Sequence, residues 1–205
     1  MTMRVYGDRR SGNCLKVAYT ADRLGIAYAW TDVDIMAGET RTAAFLAMNP
    51  AGQVPVVVLG DGRPLAQSNA IIRFLARGSA LEPADPYTAA KVDELLFWEQ
   101  YNHEPFVAVC RYQMVYLGRP AAERDADKVA RAEQALDVME RALTGRTWCV
   151  GDHLTVADIA LLAYTRLAPE GGFDLSARPA VTDWIARCEA ELGLAPLPAS
   201  VEVTT

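Results

Sequence analysis

Two short polar stretches, Gly52-Gln53-Val54-Pro55 and Gln67-Ser68-Asn69, carry residue types that could together cradle a peptide-like anion. Between them lies what reads as a β-hairpin. In the first stretch a proline follows a β-branched residue at the entrance to the apolar run Val56-Val57-Val58-Leu59. An X-Pro bond tolerates the cis form at a cost of about 0.5–1 kcal/mol, against roughly 2.5–4 for other residues. A cis Val54-Pro55 bond would turn the Val54 amide and carbonyl outward, where an extended guest peptide could pair with them as a strand does. In the second stretch Ser68 stands as a helix N-cap ahead of the apolar pattern Ile71, Ile72, Leu75. Its hydroxyl and the amides behind it suit a carboxylate.

Other chemistries find less support. Cys14, Cys110, Cys149 and Cys188 lie far apart, with no C-x-x-C pair and His103 and His153 as the possible imidazole partners. That spacing argues against a metal site and against structural disulfides. There is no G-x-G-x-x-G, no Walker-type loop, no fixed-period repeat and no low-complexity tract. A net charge of −6 and a pI near 5.0 oppose a nucleic-acid surface, because phosphate binding needs a basic patch and the Lys and Arg residues here are scattered. No run of about 20 apolar residues exists to span a membrane. Asp8, Arg9 and Arg10 interrupt the N-terminus before an apolar leader could form, which predicts a cytoplasmic protein. With 205 residues, 51% hydrophobic and 22% charged, the composition is that of a soluble globular chain with one sizeable core or two small ones.

The elements that must position these residues fall into two groups. Residues 3–6 and 28–35 carry β-like patterns around a helical segment from Cys14 to Leu24 that Gly25 closes, which makes a βαβ unit. A short helix over 42–48 stops at Asn49-Pro50; the runs 55–59 and 63–65 then flank Gly60-Asp61-Gly62, a hairpin turn signal, and a helix follows over 68–77. The order β-α-β-α-β-β-α over residues 1–78 predicts a thioredoxin-like domain, with the first strand pair parallel and the hairpin antiparallel. Residues 79–86 are rich in Gly, Pro and Ala and read as a linker. From residue 87 to 205 the chain reads as an all-helical bundle, with helices near 87–117, 121–143, 156–167 and 180–190 and an irregular tail after Gly193. Pro105, inside the first of these, should kink it or leave the Tyr101 carbonyl unpaired. Leu154-Thr155-Val156-Ala157-Asp158-Ile159 is a capping box with a hydrophobic staple, a folding signature rather than a catalytic one.

Taken together, these residues resemble a cytosolic glutathione S-transferase over essentially the whole chain. Tyr6, Ser11, Cys14, Lys16 and Val17 resemble the serine-type active-site segment of theta-like and related bacterial members. Residues 49–55 resemble the family's glutathione loop with its cis-proline, Gln67-Ser68-Asn69-Ala70-Ile71 its glutamyl-binding motif, and Gly151-Asp152 through Asp158 its C-terminal capping element.

The resemblance implies a transferase that activates the thiol of glutathione and directs the thiolate at a small electrophile, with glutathione as co-substrate, no metal, and a homodimer. Ser11 is the candidate thiolate donor; the alternative for it is a simple N-cap. Asn13 is the candidate that orients the hydroxyl or itself donates to the thiolate. Cys14 is the rival thiol centre, one turn beyond Ser11, with a buried structural thiol as its other reading. Gln53, Val54 and Pro55 would hold the glycyl and cysteinyl backbone, Ser68 and Asn69 the glutamyl carboxylate, and Arg41 the glycine carboxylate. Gln67 takes the place of an acidic residue that in many relatives meets the glutamyl ammonium. The second substrate would lie against His103, Glu104, Val107 and Arg111, which share the stripe at i, i+4 spacing or lie beside it. Two other readings remain open on the same scaffold: a glutathione-dependent peroxidase or disulfide reductase using Cys14, and a non-catalytic carrier or interaction module.

Overall fold

The computed structural model describes residues 2–197, and the chain divides into two compact units, Met1–Glu82 and Pro83–Thr205. The N-terminal unit is built on a four-stranded sheet in the order β2-β1-β3-β4. Strand β1 (Met3–Gly7) buries Met3, Val5 and Gly7 and leaves Arg4 exposed, because successive side chains point to opposite faces of a strand. Strand β2 (Tyr28–Asp32) runs parallel to it with Val5 opposite Trp30, and β3 (Val56–Val58) runs antiparallel with Val5 opposite Val57. Strand β4 (Pro64–Ala66) completes the hairpin. Its turn is closed by Gly62, whose amide donates to the Leu59 carbonyl at 2.9 Å from a φ of 89°.

Helix α1 (Gly12–Arg23) makes the crossover between the parallel strands and buries Cys14, Val17 and Ala21. It ends in a Schellman motif: the Gly25 amide bonds the Asp22 carbonyl at 3.1 Å and the Ile26 amide the Ala21 carbonyl at 2.9 Å. Gly25 supplies the left-handed residue that this closure needs, with φ 65°. Helix α2 (Ala43–Met48) is capped by the Thr42 hydroxyl, which accepts from the Phe45 amide. Helix α3 (Ser68–Ala76) packs on α1. The mixed sheet with its helices is the thioredoxin-like arrangement that the element order predicts.

Every secondary-structure element among the described residues of the C-terminal unit is a helix or helical turn. Helix α4 (Pro86–Trp98) is capped by Asp85, whose carboxylate accepts from the Thr88 amide at 2.8 Å. The single long helix expected over 87–117 is interrupted by a π-turn, Glu99–His103, after which α5 (Glu104–Val115) begins with Pro105 in its first turn. A proline lacks an amide hydrogen and gives no bond back into the π-turn, whereas Glu104 just ahead of it still donates its amide to the Glu99 carbonyl. The expected helix over 121–143 likewise starts later. Residues Ala121–Glu123 form a 3-10 turn, and α6 (Ala126–Leu143) starts after Asp125, which accepts from the Asp127 and Lys128 amides.

Helix α7 (Val156–Thr165) is buried at every residue, which places it at the centre of the unit. Its start is the capping box expected from the sequence, with Leu154 and Ile159 both buried. Helix α8 (Pro179–Leu192) sends Trp184 into the core, where it is fully buried. The last residues of the tail expected after Gly193, from 198 on, lie outside the described residues.

Candidate functional site

In the N-terminal unit four of the predicted residues converge where α1 meets α3. Ser11 precedes α1 in extended conformation (φ −80°, ψ 121°), and its carbonyl accepts from the Cys14 and Leu15 amides at 3.0 and 2.9 Å. Its position is that of an N-cap, yet its hydroxyl makes no capping bond. Two residues on, Asn13 Oδ1 accepts from the Ser68 hydroxyl at 3.0 Å. One turn further along α1, Lys16 Nζ donates to Asn69 Oδ1 at 3.3 Å. Two side-chain bonds three residues apart thus tie the first turns of α1 and α3 together.

Cys14 faces the core. It is fully buried, and a Cβ placed on Gly7 would come within 2.9 Å of its sulfur, so the thiol fills its space. Burial pushes it up to about 12; the Ser11 side chain and the Asp8 backbone, through hydrogen bonds, oppose that only in part. A thiol that resists ionisation is a poor nucleophile at neutral pH.

The α3 end of the site departs from expectation in one respect. Ser68 is the first residue of α3, and the N-cap is Gln67. Gln67 adopts φ 70° and ψ 110°, the one positive φ outside glycine among the described residues, and its side chain makes no capping bond. Such a conformation costs of order 1–3 kcal/mol. Ser68 cannot cap the helix because it already has helical geometry, and its hydroxyl proton goes to Asn13 instead. What α3 presents is therefore the backbone amides of its first turn, which have no intrahelical acceptor.

The loop before β3 is organised by Asn49, which the sequence marks as the stop of the preceding helix and the start of this loop. Asn49 is buried; its Nδ2 donates to the Gln53 carbonyl at 2.8 Å, its Oδ1 accepts from the Ala51 amide at 3.2 Å, and its carbonyl accepts from the Gly52 amide at 2.9 Å. An Asn before Pro at the end of a helical run is the local signal for such a side-chain turn. Arg41 Nη1 donates to the Ala51 carbonyl at 3.3 Å. Its guanidinium lies over Gly52, where a Cβ would strike it and where φ is 62°. Val54-Pro55 is cis, as expected, and Val54 packs with Tyr6 and Met48 against buried Val33, Phe45 and Val56.

The stripe expected to meet a second substrate is internal to the C-terminal unit. His103 and Val107 are fully buried and Arg111 is 5% exposed. The Thr165 hydroxyl donates to the Leu161 carbonyl at 2.7 Å, which leaves its oxygen to accept from His103 Nε2 at 3.1 Å. Arg111 is bonded to Glu170 through Nη2 at 2.6 Å and Nε at 2.8 Å. These three residues serve the core, and Glu104 beside them is half-buried. No cluster of three or more His, Cys, Asp or Glu able to hold a metal occurs among the described residues, and no helix among them is long and apolar enough to cross a membrane.

Lys16 stands in the sequence beside Cys14 and Val17 as part of one pattern, without a role of its own. Its signal was nonetheless present: a lysine among Cys14, Val17 and Ala21, on the apolar face of α1.

Comparison with known proteins adds independent information. Residues 10–77 match the family described as glutathione S-transferase, N-terminal domain, and residues 98–191 that described as glutathione S-transferase, C-terminal domain. The chain is similar to glutathione S-transferase theta-3 of Mus musculus, 30% identical over 94% of this chain and 84% of the relative. It is also similar to glutathione S-transferase 3 of Zea mays, 34% identical over 89% of this chain and 86% of that one. Among solved structures, a glutathione S-transferase from Pseudomonas fluorescens Pf-5 superposes with a TM-score of 0.90 at 44% identity, covering 100% of both chains.

Proposed function

The chain belongs to the glutathione S-transferase family and is a glutathione transferase, and from that premise we propose that it is of the serine, theta-like type, with the Ser11 hydroxyl stabilising the thiolate of bound glutathione. The observation that carries this reading is the contrast between Ser11 and Cys14. The hydroxyl stands at the start of α1 without a capping bond, its side chain hydrogen-bonded to the Cys14 thiol, while that thiol is buried and held protonated. That contrast also weighs against a reductase working through Cys14.

A free thiol near pKa 8.5 is only a few per cent ionised at pH 7. Lowering it by about two units needs roughly 2.7 kcal/mol of preference for the anion. One charge-assisted hydrogen bond from Ser11, with the positive end of α1 behind it, supplies energy of that size. The thiolate sulfur then forms a bond to the electrophilic carbon of a small substrate, and the leaving group departs with its electron pair. Asn13 sits in the same first turn and steadies this end of the site.

The rest of the tripeptide follows the loop and α3. Gln53, Val54 and Pro55 hold its backbone, Arg41 is placed beside that loop for the glycine carboxylate, and the Ser68 and Asn69 amides receive the glutamyl carboxylate. Gln67 meets the glutamyl ammonium as a neutral group. We further infer a homodimer; exposed aromatic side chains on the C-terminal unit, Tyr87, Phe97 and Tyr101 at 74%, 76% and 80%, support an interface there. Light scattering that returns a monomer mass at micromolar concentration would refute that dimer.

The test is turnover of a chlorodinitrobenzene-type electrophile by wild type, Ser11→Ala and Cys14→Ala. Ser11→Ala is expected to lose roughly 10–100-fold at pH 6.5 and to move the pH-rate profile upward, with Cys14→Ala close to wild type. Loss of activity in Cys14→Ala alone would overturn the serine mechanism.

A further inference from the structure

Asp8 is a buried carboxylate in the turn that joins β1 to α1, ahead of Ser11. Its Oδ1 accepts from the Arg10 amide at 2.8 Å, and its two oxygens receive the Arg10 guanidinium through Nε and Nη2, both at 3.4 Å. Its carbonyl accepts from the Ser11 amide at 3.0 Å. One residue therefore holds the backbone of both Arg10 and Ser11. An aspartate that bonds the amide two residues on makes a compact side-chain turn, and a buried carboxylate needs charged or hydrogen-bonding partners of this kind. The same turn reaches the thiol end of the site: the Ser11 side chain and the Asp8 backbone both hydrogen-bond the Cys14 sulfur, and the Asp8 charge is felt there, opposing ionisation. The Arg10 side chain is 52% exposed against 9% for that of Asp8, so the guanidinium is the solvent side of the pair. Around the turn, Arg9 lies over the Trp30 ring at 4.5 Å and pairs with exposed Asp32 of β2 at 3.7 Å, its charge also reaching Tyr28, while α1 brings Cys14.

We propose that Asp8 and Arg10 are positioning residues for thiol activation: together they fix the turn that presents the Ser11 hydroxyl, and their opposed charges set the field in which the glutathione thiol ionises. The proposal rests on the reading of Ser11 as the group that stabilises the thiolate. Both residues act through Ser11 and through their charge. The Asp8 carboxylate by itself would hold the turn while disfavouring a thiolate beside it; the guanidinium secures the same turn and offsets that charge. Taking a negative charge out of the turn lowers the pKa of a neighbouring thiol and taking out a positive one raises it, whatever else either residue touches.

The experiment follows the ionisation of bound glutathione by ultraviolet thiolate absorbance, together with kcat against pH at saturating glutathione, in wild type, Asp8→Asn, Asp8→Ala, Arg10→Met and Arg10→Lys. Asp8→Asn should move the thiol pKa down by about half a unit and Arg10→Met up by a similar amount, the order expected of one charge at a partly solvated site. Arg10→Lys, which keeps the charge, should stay near wild type. The turn is read separately. Asn retains an oxygen for the Arg10 amide and Ala does not, so Asp8→Ala should show a kcat about tenfold below that of Asp8→Asn, the loss expected of a displaced hydroxyl, although both variants lack the charge. Circular dichroism melts identify the variants that fold, and the two Arg10 variants, altered at a half-exposed side chain, carry the charge test where an Asp8 variant does not fold. Shifts of Asp8→Asn and Arg10→Met in the same direction, no shift in either, or an Arg10→Lys profile that matches Arg10→Met would overturn the role of the charges. Equal kcat in Asp8→Asn and Asp8→Ala would overturn the role of the turn. A Ser11→Ala enzyme that keeps the wild-type thiol pKa would instead overturn the reading of Ser11, and the roles of Asp8 and Arg10 with it.

Discussion

The Ser68 hydroxyl donates to Asn13 Oδ1 across 3.0 Å, so the turn that begins α3 and the turn that begins α1 share a hydrogen bond. A serine hydroxyl has one proton to give. On the proposed reading of this turn, a glutamyl carboxylate that also took that proton would break the bond to Asn13, which would couple the two ends of the proposed site. Ser68→Ala removes both uses of the proton. It is expected to weaken glutathione binding about tenfold, the worth of a hydrogen bond to a charged group, but to cost stability only about 1 kcal/mol. Calorimetry and a denaturant melt measure the two numbers, and a stability loss that outweighs the binding loss would show the bond to be purely structural.

The buried thiols make stability fall in alkali. Cys14 is pushed up to about 12 from an ordinary 9.0, and desolvation likewise raises the buried Cys188 and the half-buried Cys149. Above pH 9 the unfolded chain releases these protons while the native state keeps them, so the native state binds more protons and loses stability as pH rises. Each such thiol contributes a slope of about 1.4 kcal/mol per pH unit between its unfolded and native pKa. Thermal melts from pH 8 to pH 11 should show this decline, and Cys14→Ala should flatten it by one thiol's share. A decline as steep in Cys14→Ala as in wild type would place that thiol in contact with solvent.

Arg111 and Glu170 join α5 to the 3-10 turn Ala168–Gly171, and the turn is pressed so close that a Cβ on Gly171 would sit 3.1 Å from the Arg111 amide. Arg111 is 6% exposed along its side chain and Glu170 28%. Glu170→Gln keeps the shape and removes the charge, and should destabilise the protein by about 2 kcal/mol through the loss of charge-assisted bonds to a guanidinium that cannot reach water. Because the pair serves the core, the ranking of electrophilic substrates should not change. A changed ranking with unchanged melting temperature would return Arg111 to the substrate side.

Legibility in the sequence followed the range of the interactions. Strand β1, the hairpin turn and the Gly25 closure rest on local alternation and glycine geometry, and each could be read from a few neighbouring residues. The π-turn could not. Pro105 announced a disturbance, but whether the helix kinks or takes in an extra residue depends on how α4 and α5 must both pack. One inserted residue rotates all that follows by about 100°. The i, i+4 spacing of His103, Val107 and Arg111 correctly put them on one stripe, yet spacing cannot say whether that stripe is covered, and here α7 and the 168–171 turn supply its partners. Gln67 shows the same limit in the backbone. A glutamine gives no local sign that it will hold a positive φ, so the sequence pattern puts the cap one position too late, at Ser68.

Asp158 is the residue on which the C-terminal unit turns. Fully buried, it accepts from the Thr155 amide at 2.9 Å and the Thr155 hydroxyl at 3.1 Å through Oδ2, and from the Cys149 amide and Trp184 Nε1 at 2.9 and 3.0 Å through Oδ1. One carboxylate thus caps α7, anchors the loop before it and orients the tryptophan of α8. Asp158→Asn keeps the volume but replaces one acceptor oxygen by an NH2 group, which must then face donors. That leaves at least one buried donor without a partner and is expected to cost about 3 kcal/mol or more. Asp158→Ala loses all four bonds and should fail to fold at 37 °C. Cys149, Thr155 and Trp184 all belong to the C-terminal unit, so the damage should appear first in Trp184, whose near-ultraviolet dichroism loses its fixed environment as α8 detaches. Retention of the wild-type melting temperature by Asp158→Asn would show that the bonds are replaceable and that packing around α7 alone holds the bundle.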